Sequence, residues 1–165
     1  MRTALITGVA GPRLTAAEAA FLRASRPAGL ILFARNCESP DQLRRLVAET
    51  KAAAGSEALL VAIDQEGGRV ARLRPPHWRR LPAAESYAAL YAGDPGGALG
   101  AARSVARLTA DDLRRLGINT NCAPVADVPT PGAHAIIGDR AYGRTPEQVA
   151  ALGRAVAEGY LAGGV

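Results

Sequence analysis

The chain has 165 residues, of which 48% are hydrophobic, 4% aromatic and 21% charged, with a formal net charge of +5. Disorder needs low hydrophobicity with high net charge, and neither is present, so one compact domain with a real core is expected. Lys51 is the only lysine, and the arginines are scattered near acids such as Glu18, Asp111 and Glu158 rather than grouped with aromatics, which argues against a nucleic-acid partner.

Taken in chain order, short β-type runs alternate with longer runs of helical period. The first strand is expected over Thr3 to Thr7, closed by Gly8 and Gly11. Thr15 precedes Ala16-Ala17-Glu18 at capping-box spacing and opens a helix. A second strand follows at Gly29 to Ala34, and then Ser39-Pro40 starts a helix that places Leu43, Leu46 and Val47 on one face. Leu59 to Ile63 forms the third strand, ending at Asp64. A helix from about Gly97 to Leu116, stopped by Gly117, leads to a fourth strand from Ile118 to about Ala123. Thr145-Pro146-Glu147 starts the last helix, which reaches about Ala162. Continuous apolar strands joined by helices predict a parallel sheet buried on both faces.

An open doubly wound sheet and a (β/α)8 barrel both use this order. The first wants a GxGxxG turn after strand one, but Gly8-Val9-Ala10-Gly11-Pro12 lacks the pattern, and Pro12 removes a phosphate-binding N–H. A barrel places polar residues at the C-terminal ends of several strands. Such residues occur at Arg35-Asn36-Cys37, at Asp64-Gln65-Glu66 and from Asn121 to Asp127. A complete barrel takes ~250 residues, so residues 1–165, with about four β/α units, read as the N-terminal half of a (β/α)8 TIM barrel, cut near the start of strand five.

Cys37 and Cys122 have no CxxC spacing and are read as buried strand-end thiols in a reducing compartment. No run reaches the roughly 18 apolar positions of a membrane span, and Met1-Arg2-Thr3 leads directly into a strand, so a cytoplasmic protein without a membrane partner is expected.

The segment richest in chemistry is Asp64-Gln65-Glu66-Gly67-Gly68-Arg69-Val70-Ala71-Arg72-Leu73. A strand-end carboxylate, two glycines and two arginines three apart suit a concave site for a hydroxyl-rich or anionic ligand. The alternative is that Asp64 caps a turn and the arginines are solvated. Asp139-Arg140, fenced by Gly138 and Gly143, either holds a loop shape or presents Arg140 to a ligand.

Ile63 to Val70, Asn121 to Val128 and Ile137 to Gly143, together with Gly29 to Asn36 and Arg80 to Ala84, resemble successive motifs of family 3 glycoside hydrolases. The match is nearest to the single-domain bacterial β-N-acetylhexosaminidases of cytoplasmic peptidoglycan recycling. The resemblance implies a (β/α)8 barrel in which Asp64 bonds the outer hydroxyls of N-acetylglucosamine and Arg72 and Arg140 hold the same sugar. It assigns Glu66 and Arg69 to shaping the loop. It also implies a retaining mechanism with an aspartate nucleophile and a histidine–aspartate acid/base, all matching positions beyond Val165. No catalytic residue is therefore expected in this chain, and neither a cofactor nor a metal.

His77, in the stiff Pro75-Pro76-His77-Trp78 loop, reads as an exposed structural histidine; His134, six residues before Arg140 on a loop able to approach the site, lacks the family's surrounding motif; and Asp127 resembles a structural position. Gly8 departs from relatives that carry an aspartate there. The implied ligand is a small carbohydrate, the N-acetylglucosaminyl end of a muropeptide. The alternative is a non-catalytic sugar-binding or interaction module that dimerises to close its half-barrel.

Overall fold

In the computed structural model, which describes residues 2–132 and 134–165, the chain runs β1 (Thr3–Thr7), α1 (Ala16–Ser25), β2 (Pro27–Leu32), α2 (Pro40–Ala54) and β3 (Leu60–Ile63). It continues through β4 (Gln65–Gly67), β5 (Val70–Ala71), α3 (Ala84–Tyr91), α4 (Pro95–Arg115), β6 (Thr120–Asn121) and α5 (Pro146–Gly163). The four main strands are parallel and lie side by side in the order β1-β2-β3-β6, while β4 and β5 form a separate antiparallel hairpin.

That strand order separates the two architectures left open by the sequence. A doubly wound sheet reverses direction at a switch point. Here each β/α unit adds its strand beside the previous one, which is how a barrel wall grows. The fold is α/β, with the four-unit wall of a (β/α)8 barrel.

Local chemistry explains where the helices begin. The Thr15 hydroxyl accepts from the Glu18 N–H, while the Glu18 carboxylate accepts from the Thr15 N–H at 2.8 Å, completing a capping box on α1. Ser39 and Gln42 repeat the arrangement on α2, and Asp94 and Thr145 cap α4 and α5 ahead of a proline. Gly117, at φ +80°, follows the end of α4 and turns the chain toward the sheet.

The core runs through the sheet and the helices that cross over it, with Leu30, Leu32, Val61 and Ile63 buried from the strands and Leu43, Leu46, Leu113 and Leu152 from the helices. α4 and α5 meet along a seam of small residues. A Cβ on Gly159 would stand 2.3 Å from the Arg103 carbonyl oxygen, and one on Gly163 would stand 2.2 Å from the Ala110 Cβ. The Arg103–Glu158 ion pair, at 2.6 Å, bridges the same two helices.

β1 is one edge of the sheet and is poorly covered: Ile6 is 52% exposed. Buried Asn36 ties its following loop to the end of β2. Its Nδ2 donates to the carbonyls of Val9 (3.1 Å) and Gly11 (2.8 Å), and its Oδ1 accepts from the Phe33 N–H. At the other edge β6 has only two residues, shorter than the sequence suggests, and asparagine side chains extend its pairing. The Asn119 side chain accepts from Val61 N–H at 2.8 Å and donates to the Leu59 carbonyl at 3.0 Å.

Candidate functional site

Asp64 follows β3 at its C-terminal end, where the chain turns into the β4–β5 hairpin. Gln65 shapes that hairpin from within. Its buried side-chain oxygen accepts from the N–H groups of Arg72 and Leu73, both at 2.9 Å, and its Nε2 donates to the Leu73 carbonyl. The result brings Arg72 back over Asp64, and Arg72 Nη2 donates to Asp64 Oδ2 at 2.6 Å. Both side chains are about one-quarter exposed, so the pair faces solvent without being fully solvated.

The hairpin rests on the segment from Leu81 to Ala83. Gly68 N–H donates to the Leu81 carbonyl at 3.1 Å, and a Cβ on Gly67 would lie 2.1 Å from the Pro82 carbonyl oxygen. From the far side comes the long loop after β6, which ends in a 3₁₀ turn over Gly138–Arg140. Arg140 docks on Glu66 as a fork, with Nε on one carboxylate oxygen and Nη2 on the other, each at 2.8 Å. The hydrogen bond to Glu66 raises the Arg140 pKa; desolvation opposes this, while the charges of Glu66, Asp127 and Asp64 add to it.

Asp64, Arg72 and Arg140 thus reach one region at the strand ends. Among the described residues, the Nη1 atoms of Arg72 and Arg140 make no hydrogen bond, and the Asp64 carboxylate, held by Arg72 and neighboured by the Cys122 thiol, supplies acceptor oxygens beside these two charged donors. Arg72 Nε is buried with no hydrogen-bond partner.

The partners of Glu66 and Arg69 are visible only in three dimensions. Glu66 holds Arg140, whereas Arg69 pairs with Asp139 at 2.6 Å. Asn121, in the segment after Asn119, has a support role that its motif did not reveal. Its side chain accepts from Gln65 N–H at 2.9 Å, and it donates to the Gln65 carbonyl at 3.0 Å and to the Tyr160 hydroxyl at 2.7 Å. An asparagine directly before a proline-containing loop was the available signal. Tyr160 has no local motif and reaches this point only by the return of α5.

The histidines lie elsewhere. His77 is exposed and touches Trp78 edge-on. His134 borders a cavity of about 310 Å³ between α3 and the long loop, with Glu85, Pro129 and Arg144 among its walls and none of Asp64, Arg72 or Arg140. Among the described residues, no group of three or more His, Cys, Asp or Glu side chains is placed to hold a metal.

The reading of both cysteines as buried needs correction. Cys37 is half-buried and donates to the Phe33 carbonyl, but Cys122, directly after β6, is exposed. Burial pushes the Cys37 thiol up to about 12, against a smaller pull from Arg72. Partial desolvation, then the negative charge of Asp64 and a hydrogen bond to it, raise the Cys122 thiol as well, with Glu66 adding to this and Arg72 opposing it. Raised values mean less thiolate at any pH below them. Alkylation of both thiols by iodoacetamide is therefore expected to be slower at pH 8 than that of free cysteine, and for Cys37 to keep accelerating above pH 10. Site-resolved mass spectrometry across pH checks this, and a plateau by pH 9.5 at Cys37 would contradict it.

The family model described as "Glycosyl hydrolase family 3 N terminal domain" matches residues 4–165. This chain belongs to that family. A beta-hexosaminidase of Methylococcus capsulatus is 45% identical over 155 residues, covering 94% of this chain and 44% of its own. One from Xanthomonas campestris pv. campestris is 41% identical over 161 residues, covering 98% and 47%. The chain spans about half the length of these curated relatives. Among solved structures, NagZ from Neisseria gonorrhoeae in complex with N-trifluoroacetyl-D-glucosamine superimposes with a TM-score of 0.91 at 37% identity, covering 99% of this chain and 48% of that one. Membership in the family explains why the strand-end motifs recur in order.

Among the described residues, no helix is long and apolar enough to cross a membrane.

Proposed function

We propose that these residues form the part of a retaining β-N-acetylhexosaminidase that holds the terminal, non-reducing N-acetylglucosamine, in a longer protein that cleaves this sugar from peptidoglycan-derived muropeptides. The observation that carries the reading is the Asp64–Arg72 pair beside Arg140, with a part-exposed carboxylate and two unbonded guanidinium nitrogens at the strand ends. An ionised carboxylate accepts two sugar hydroxyls, and arginine donates in a fixed fork, so the set recognises a hydroxyl pattern in direction as well as charge. The beta-hexosaminidase relatives and the sugar-analogue complex of the Neisseria structure support the same substrate class.

In this reading Asp64 and Arg72 orient the sugar ring and Arg140 closes over it. The aspartate nucleophile and the histidine acid/base belong to loops matching positions past Val165, as do the groups that would complete the barrel. Residues 1–165 act as a partial catalytic domain. A cytoplasmic setting is consistent with two unpaired thiols.

The test is hydrolysis of a chromogenic β-N-acetylglucosaminide by the 165-residue chain and by a form extended past Val165 along the gene. Turnover is expected only in the extended form. Turnover by the short chain that disappears with Asp64→Ala would instead place nucleophile and acid among these residues. Failure of the extended form on the glucosaminide, with turnover of another glycoside, would overturn the substrate assignment.

A further inference from the structure

We propose that Arg69 is a positioning residue for Arg140, acting as a latch that fixes the backbone from which Arg140 reaches the sugar. The inference rests on the sugar-site reading above and adds a residue to it. Arg69 sits on the turn of the β4–β5 hairpin, directly after Gly68 at φ +54°. Its Nε donates to Asp139 Oδ1 at 2.6 Å, and its Nη2 donates to the carbonyls of Ile136 at 2.5 Å and Ile137 at 3.2 Å. All three acceptors belong to the four residues immediately before Arg140.

One of those carbonyls does double duty. Ile137 O also accepts the backbone N–H of Arg140 at 2.9 Å, the bond that closes the 3₁₀ turn. No side chain caps this turn, and the Arg69 guanidinium, 68 residues away in sequence, instead adds a second donor to the Ile137 carbonyl that the turn already uses. Arg140 is consequently held at both ends. Glu66 grips the guanidinium, and Arg69 grips the backbone, with the same hairpin as base. Among the described residues, the loop between Asn121 and Gly138 has no regular secondary structure of its own to do this.

As an ion pair alone, Arg69–Asp139 would contribute little, since Arg69 is half-exposed. Its effect is geometric. A group that holds the sugar equally in the ground and transition states contributes uniform binding, and misplacing it raises KM while leaving kcat unchanged. Arg69 therefore governs affinity for the sugar more than the rate of cleavage.

The experiment compares Arg69→Ala, Arg69→Lys and Asp139→Asn with the wild type in the extended, active form, with steady-state kinetics and a melting curve for each. Arg69→Ala is expected to raise KM roughly tenfold while kcat stays within about twofold. Arg69→Lys keeps one charged donor but cannot span three acceptors, so it recovers part of the loss, and Asp139→Asn, which retains an acceptor for Nε, stays near wild type. An unchanged KM in Arg69→Ala, or a fall in kcat with KM unchanged, would overturn the latch. If the wild type itself does not turn over the glucosaminide, the substrate reading has failed, and the latch is read by hydrogen exchange in the 165-residue chain. Faster exchange from Ile137 to Ala141 in Arg69→Ala, with β2 and β3 unchanged, upholds it; equal exchange removes it.

Discussion

Asp64→Ala in the extended enzyme is expected to lower kcat/KM about a thousandfold while the protein stays folded. A hydrogen bond to a charged group is worth ~1.5–3 kcal/mol, and under the proposed sugar-site role the ligand loses up to two of them with the carboxylate. Arg72 also loses its partner at 2.6 Å while remaining three-quarters buried, so its guanidinium is no longer directed at the ligand. Asp64→Asn retains one side-chain oxygen in nearly the same shape and is expected to keep more activity, roughly ten- to a hundredfold below wild type, because the acceptor survives and the charge does not. Steady-state kinetics alongside circular dichroism measures both. Wild-type turnover in Asp64→Ala would remove the residue from the site.

The second large effect concerns folding and falls at Gly67. The residue has φ +106°, and an added Cβ would stand 2.1 Å from the carbonyl oxygen of Pro82, a backbone atom that cannot rotate away. Gly67→Ala therefore combines backbone strain of ~1–3 kcal/mol with overpacking of ~1–3 kcal/mol, for a loss of about 3 kcal/mol in all. At ~2–4 °C per kcal/mol for a chain of this size, the melting temperature should fall by about 6–12 °C. Gly55→Ala is the control. Gly55 also has a positive φ, +65°, but nothing lies within 4 Å of its added Cβ, so only the conformational cost of ~1 kcal/mol applies. Equal losses in the two variants would show that φ, and not the contact with Pro82, sets the requirement. Because the hairpin carries Asp64, Glu66, Arg69 and Arg72 together, Gly67→Ala should also lower activity in the fraction that remains folded.

The hairpin shows why parts of this protein are readable from sequence and others are not. The starts of α1, α2 and α5 rest on residues within three positions of one another, and the capping bonds occur where Thr15, Ser39 and Thr145 predict them. α3 has no such signal: Ala83 precedes it and offers no side-chain bond. The β4–β5 hairpin consists of segments of three and two residues, too short for any periodicity, and its polar residues read as a loop. β6 is shorter than the strand expected from Ile118 to about Ala123 because the Asn119 and Asn121 side chains take over hydrogen bonds that a longer ladder would make.

Local order along the chain was sufficient for the alternation of strands and helices, for the helix caps, and for the family motifs from which Asp64, Arg72 and Arg140 are proposed as sugar-binding. Those properties depend on side-chain types a few positions apart, and the physical signals act over the same distance. Strand neighbours and ion-pair partners do not. The sequential β1-β2-β3-β6 order separates a barrel wall from a doubly wound sheet, yet both produce the same alternation in sequence. Likewise Glu66 and Arg140 stand 74 residues apart, and Arg69 and Asp139 stand 70 apart. With 20 basic and 15 acidic side chains available, charge alone permits many pairings, and the choice among them follows from packing: β3 sets the hairpin beside β6, and the loop after β6 then descends onto it.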